Sequence, residues 1–247
     1  MSARVSARVT TRTDPDAADA TELRARLDAG LAAMAPTIAE ALDETARGQL
    51  VHYVQLLARW NRAYNLTAVR DPREQVARHL LDSLAILPWV TRGPVLDLGT
   101  GAGLPGIPLA IARPELAFTL LDSNGKKTRF VRQAVLELGL AQVEVIQIRL
   151  EAYRPARKFA TIVARALASL PDLYRGARDL ASDDARLLAL KGRLAQEELN
   201  RLLACLPASD AVAAGAQRAE PCIHSLVVPG VDGERSLIEV PLGTIHG

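Results

Sequence analysis

Cysteine is almost missing from this chain: Cys205 and Cys222 are the only two among 247 residues. They lie far apart and lack the paired spacing of a metal site. No metal and no disulfide framework are therefore expected, and a reducing compartment, the cytoplasm, fits best. Charge of one sign is lacking too. The 30 basic residues against 28 acidic ones leave a net charge of +2, too little for a whole-molecule field that draws in a polyanion. Any nucleic-acid affinity must come from local patches. No apolar run approaches the roughly 18 residues of a membrane span. The first segment carries Arg4, Arg8 and Arg12 without the apolar core of a secretory signal. Residues 1–20 are expected to form a disordered extension, a transit-type leader being the alternative.

What is present is a globular balance, 49% hydrophobic and 23% charged, enough to bury a large core. Thr21 to Met34 reads as helical and Pro36 interrupts it. A second helix carries Leu50, Val51, Val54, Leu57 and Ala58 as one apolar stripe. Pro72 suits the first turn of a third, running through His79 to Leu87 until Pro88 stops it. Residues 21–91 are thus expected to be a helical region. The pattern changes at Arg92-Gly93-Pro94. Strands are predicted at Val95 to Leu98, Phe118 to Leu121, Val143 to Ile148, Ala160 to Val163 and Leu187 to Leu190. Helices are predicted between them at Lys126 to Leu138, Ser169 to Leu180 and, after the last, Leu194 to Leu206. Such alternation marks a parallel sheet covered on both faces, here over residues 92–247. The end breaks the rhythm: Leu226-Val227-Val228 and Leu237 to Val240 flank Gly230-Val231-Asp232-Gly233, which predicts an antiparallel hairpin.

The sharpest motif is Val95-Leu96-Asp97-Leu98-Gly99-Thr100-Gly101-Ala102-Gly103-Leu104-Pro105-Gly106. Glycine suits a tight strand-to-helix turn that a ligand approaches along the backbone. Read from Gly101, the run matches the dinucleotide pattern, so two ligands compete. A pyrophosphate wants free N–H groups at a helix start, and Pro105 and Pro108 each delete one. Asp97 would repel it as well. S-adenosylmethionine carries a sulfonium and an ammonium and no phosphate, so a nearby carboxylate helps. The acidic residue two positions before Gly-x-Gly-x-Gly is similar to the class I methyltransferase motif. Asp122, at the end of the second strand, can accept from both ribose hydroxyls or cap the next helix. The fold expected is α/β: a Rossmann-like class I methyltransferase sheet, mostly parallel with a C-terminal antiparallel strand, helices on both faces and an N-terminal helical extension.

Seven ordered blocks across about residues 45–245 carry a closer likeness. They are Trp60-Asn61-Arg62-Ala63-Tyr64-Asn65-Leu66-Thr67, Arg78-His79-Leu80-Leu81-Asp82-Ser83, Asp97 to Pro108, Leu120-Leu121-Asp122-Ser123, Arg165-Ala166 with Ser169, Leu190-Lys191-Gly192, and Asp232-Gly233-Glu234-Arg235. Together they resemble the small-subunit rRNA (guanine-N7) methyltransferase family, RsmG or GidB. The resemblance implies S-adenosyl-L-methionine as cofactor, held by Gly99, Gly101, Gly103 and Leu104, with Asp122 at the ribose. Leu150 and Glu151 would clamp the adenine and Arg165 would complete the site. It also implies 16S rRNA, free or in the small ribosomal subunit, as partner, and a monomer is favoured. The rivals are a methyltransferase of another RNA, a protein or a small molecule, a noncatalytic RNA-binding module, and an NAD-dependent oxidoreductase.

Two constellations remain. His79, Asp82 and Ser83 share a helix face, but nothing around Ser83 resembles a nucleophile elbow. This face either lines the cleft or braces it. Lys126, Arg129 and Arg132 lie opposite an apolar stripe, and Lys191 and Arg193 follow the fifth strand. Solvated charge is the default, yet all five sit at the ligand edge of the sheet and suit an RNA phosphate rim. Trp60 and Tyr64 read as core before they read as base-stacking platforms. No acid–base pair stands out, and no catalytic residue is assigned.

Overall fold

Helix α1 (Ala20–Ala32) starts where Asp19 accepts from the Thr21 N–H, a side-chain cap for an orphan donor. The computed structural model describes residues 19–165, 167–206 and 220–242. Ala166 and the expected extension up to residue 18 lie outside them. Pro36 not only ends the first helical stretch but opens a short α2 (Pro36–Glu40), where its missing N–H costs nothing. α3 (Glu44–Tyr64) is capped by Asp43 and closed by Asn65 in the left-handed region, φ 50°. Its buried stripe is Leu50, Val51, Tyr53, Val54, Leu56 and Leu57. Each such side chain contributes about 1.5–3 kcal/mol by leaving water.

The third predicted helix is not regular. α4 (Pro72–Gln75) passes into a π-helical segment, Val76–Leu81, and then one α turn, α5 (Asp82–Leu84). Pro88 falls inside a 3₁₀ turn, Leu87–Trp89.

Seven strands follow among the described residues: β1 (Val95–Leu98), β2 (Phe118–Asp122), β3 (Val143–Gln147), β4 (Phe159–Arg165), β5 (Ala181–Lys191), β6 (Cys222–Ser225) and β7 (Ser236–Pro241). Their order in the sheet is β3-β2-β1-β4-β5-β7-β6. The first five are parallel, and β7 pairs antiparallel with both β5 and β6. The connecting helices are α6 (Gly106–Ala112), α7 (Gly125–Glu137), α8 (Leu170–Arg178) and α9 (Gln196–Cys205).

Alternation along the strands builds two cores. Val95, Phe118, Leu120, Val163 and Leu188 face α3, α6 and α7, in one continuous cluster with the N-terminal helices. Leu96, Leu98, Ile162, Ala164 and Leu187 face α8 and α9. The sheet is therefore covered on both sides, as a mainly parallel sheet requires.

The hairpin differs from its prediction. Leu226-Val227-Val228 is not a strand, and Val227 is 81% exposed. The strand lies just before it, at β6. Pro229 has no N–H for a ladder, and Gly230 and Gly233 take positive φ of 75° and 88°. A ten-residue loop, rather than a tight turn at Asp232-Gly233, joins the two strands.

Candidate functional site

The glycine turn, Asp122, Leu150-Glu151 and Arg165, where a ligand is expected, lie at the carboxyl edge of the parallel strands, where open α/β sheets bind. A cleft of about 890 Å³ opens there, with Gly99, Asp122, Leu150, Glu151, Leu167 and Gly176 among its walls. Four of the eight expected cofactor residues therefore line one space. Gly101, Gly103, Leu104 and Arg165 do not. Gly101 adjoins it through the turn, Gly103 backs onto Ile107, and the Leu104 side chain is buried in the core under α6.

Three glycines need their freedom: Gly99, Gly101 and Gly103 have φ of 64°, 61° and 91°. The turn is held from within. Thr100 donates to Leu121 O, Gly103 and Leu104 donate to Thr100 O, and Ile107 donates to Gly103 O. Gly101 N donates to Asp122 Oδ2 at 2.9 Å and Gly106 N to Asp97 Oδ2 at 2.9 Å. The N–H groups that a pyrophosphate would claim at the start of α6 are thus already used, and Pro105 and Pro108 supply none.

Asp97 is not at the surface of the site. It is fully buried beneath the turn, accepting also from the Thr100 hydroxyl at 2.6 Å, while its Oδ1 has no partner among the described residues. Its carboxylate can act on a ligand through its field, not by contact. Burial pushes its pKa up to about 6, against the pull of the Thr100 and Gly106 hydrogen bonds. Asp122 accepts from both Gly101 and Asn124 N–H groups. It does not cap α7; Asn124 does that, accepting from Lys126 and Lys127. A carboxylate has about four acceptor positions, so Asp122 keeps capacity for two hydroxyl donors.

The description rRNA small subunit methyltransferase G (GidB) belongs to the family whose model matches residues 46–216. The ribosomal RNA small subunit methyltransferase G of Marinobacter nauticus is 50% identical over 217 residues, 88% of this chain and 94% of that protein. Its counterpart from Alkalilimnicola ehrlichii is 52% identical over 198 residues, 80% of this chain and 84% of that protein. The chain belongs to this family. Membership makes it an S-adenosyl-L-methionine-dependent methyltransferase of ribosomal RNA. The S-adenosylmethionine-dependent methyltransferase SibL, in its apo form, shares the fold alone: TM-score 0.52 at 15% identity, over 81% of this chain and 70% of that one.

In this family member the helical blocks meet the end of β4. His79 donates from Nδ1 to Arg78 O (2.9 Å), which leaves Nε2 to accept from the Thr67 hydroxyl at 2.8 Å. Burial, then the charge of Arg165, holds the His79 pKa down at about 4. Asn61 accepts from Thr67 N at 2.9 Å. Ser83 is buried and its hydroxyl has no partner among the described residues, so the face is no hydrolase triad. Asp82 pairs with Arg165 at 3.1 Å and Arg235 at 3.2 Å.

The five expected RNA cations are split. Lys126, Arg129 and Arg132 are exposed on α7, and Arg132 donates to Val145 O. Lys191 ends β5 and Arg193 follows it, three strand positions from β2 with β1 and β4 between. Lys191 is 16% exposed and tied to Glu198 at 2.9 Å and Ala168 O at 2.7 Å, so its charge is spent on the fold. Arg193 is exposed. Sequence reasoning passed over Tyr53 and did not set Lys127 against the glycine turn. Tyr53, inside an apolar stripe, donates its hydroxyl to Ala102 O at 2.7 Å. Lys127 places Nζ 3.9 Å from where a Gly101 Cβ would sit. A polar tip within an apolar stripe was the available signal for Tyr53; the packing of Lys127 on the turn has no local signal.

Proposed function

We propose that this enzyme methylates nitrogen 7 of a guanine in 16S ribosomal RNA, within the small subunit or on its free RNA, acting in the cytoplasm as a monomer. The carrying observation is the glycine turn whose N–H groups are consumed internally, above a buried carboxylate: it suits a cationic, phosphate-free nucleoside cofactor and disfavours a dinucleotide. Gly99, Gly101 and Gly103 let the backbone approach the cofactor, Leu104 packs the turn from below, and Asp122 takes the ribose hydroxyls. Leu150 and Glu151 flank the adenine and Arg165 closes the far side.

When bound, S-adenosyl-L-methionine supplies an electrophilic methyl on a sulfonium. Guanine nitrogen 7 has a free lone pair at neutral pH, so the chain needs no general base. Its task is placement, which supplies about 7–11 kcal/mol in well-oriented cases. In A-form RNA nitrogen 7 faces a groove closed to side chains, so the target lies in a loop or is drawn from its stack at a cost of a few kcal/mol. Lys126, Arg129 and Arg132 on one flank of the cleft, and Arg193 on the other, supply phosphate contacts.

The test is transfer of tritiated methyl to small subunits, and to their deproteinised RNA, from cells lacking this enzyme. Label mapping to guanine nitrogen 7 is the expected result. Cofactor binding without RNA labelling would sink the substrate assignment and leave the cofactor site standing.

A further inference from the structure

Three separate parts of the chain meet at one carboxylate. Asp82, at the start of α5, gives one oxygen to Arg165 Nη1 at the end of β4 (3.1 Å) and the other to Arg235 Nε in the loop before β7 (3.2 Å). Asp82 is 8% exposed. In such a site charge-assisted bonds are strong and an unpaired partner is costly. We propose that Asp82 is a positioning residue for cofactor binding: it fixes the Arg165 guanidinium at the carboxyl edge of β4, beside the cleft rather than in its wall, and leaves that arginine's remaining donors for the cofactor. This rests on the reading of Arg165 as a cofactor contact.

Two observations carry it beyond a brace. Arg165 holds Asp82 with a single nitrogen, which also reaches Arg78 O at 3.4 Å. Its Nε and Nη2 have no hydrogen-bond partner among the described residues. An arginine serving only as a strut would be expected to engage the carboxylate with both prongs of its fork. The helix is also distorted at this point. Asp82 N donates to Ala77 O, five residues back, as the π-helical segment ends, and the Arg78 carbonyl is left for the His79 ring and Arg165. Without that extra residue in the turn, Asp82 would point about 100° away. With two guanidiniums on one carboxylate, the cluster keeps one positive charge and suits a carboxylate-bearing ligand, such as the amino-acid end of the cofactor.

The experiment is calorimetric titration of S-adenosyl-L-methionine into the full chain as wild type, Asp82→Asn, Arg165→Ala and the double variant, with thermal melts of each. Arg165→Ala and Asp82→Asn should each weaken binding about ten-fold, the scale of one charged hydrogen bond. The double variant should be no weaker than Arg165→Ala, because Asp82 acts through Arg165. Losses that multiply, or a folded Asp82→Asn protein with wild-type affinity, would overturn the proposal. If Arg165→Ala binds normally, the cofactor role of Arg165 falls first and that of Asp82 with it. Should Asp82→Asn not fold, Arg235→Gln replaces it: removal of the second grip should weaken binding several-fold, and unchanged affinity would overturn the positioning role.

Discussion

At Gly106 the room for a side chain is already taken. A Cβ there would collide with Leu120 Cδ2 and lie 2.6 Å from Asp97 Oδ2. Gly106→Ala is expected to destabilise the fold by about 1–3 kcal/mol, as overpacking does, with the melting temperature as readout. Asp97 links the same point to pH. Its folded pKa, about 6, stands above the ordinary 3.8 because burial penalises its charge. The sign is unusual for a carboxylate: the free protein gains stability from this group as pH falls from about 6 towards 3.8. A cationic cofactor favours the ionised form, so cofactor affinity should instead fall as pH drops from about 7 to about 5. Calorimetry in buffers of different ionisation heat should show proton release near pH 6, and Asp97→Asn should abolish it. An unchanged pH dependence in that variant would mean that the cofactor does not sense this carboxylate. The motif made Asp97 legible in the sequence. Its direction was not, because neighbouring strand positions point to opposite faces and only the packed sheet shows which face lies under the turn.

Elements were legible where periodicity was clean. The stripe of α3 and the five parallel strands stand close to their predicted places, since burial on one or both faces writes itself into the spacing of apolar residues. β5 begins six residues earlier than its apolar run, because Ala181 to Asp184 lies at the exposed end of the strand. The π-helical segment had no signal, because an inserted residue leaves composition unchanged. What α3 does to the site was also hidden. The bond from Tyr53 to Ala102 O ties this helix to the glycine turn from inside the core. Tyr53→Phe keeps the packing and strands the carbonyl, at an expected cost of about 1–3 kcal/mol. A denaturant melt should show it, together with weaker cofactor binding if the turn loosens. A melt that matches wild type would show that this bond adds nothing.

Over the whole molecule, near-neutrality puts the burden of RNA affinity on local charge. Replacing Lys126, Arg129 and Arg132 with Ala should flatten the salt dependence of RNA binding, by about 0.7 in log–log slope for each phosphate left without its cation. Cofactor affinity should stay near wild type. Lys191→Ala should behave differently, lowering stability with little change in salt slope, since its ammonium is held by Glu198 and Ala168. Filter binding across a salt series separates the two. The sequence placed all five cations at one edge; strand order, which no local pattern encodes, divides them into two flanks.

The position of β7 has a consequence for synthesis. It is made after the other six described strands, yet it lies inside the sheet, and β6 joins the rest through it. A growing chain on the ribosome can stack five parallel strands and their helices while β5 still shows a bare apolar edge at Leu187 to Leu190. β6 meanwhile has no strand to pair with. Completion of this edge waits for Ser236 to Pro241, so a chain cut short before Ser236 would carry a sticky margin and would be a natural target for chaperones and proteases.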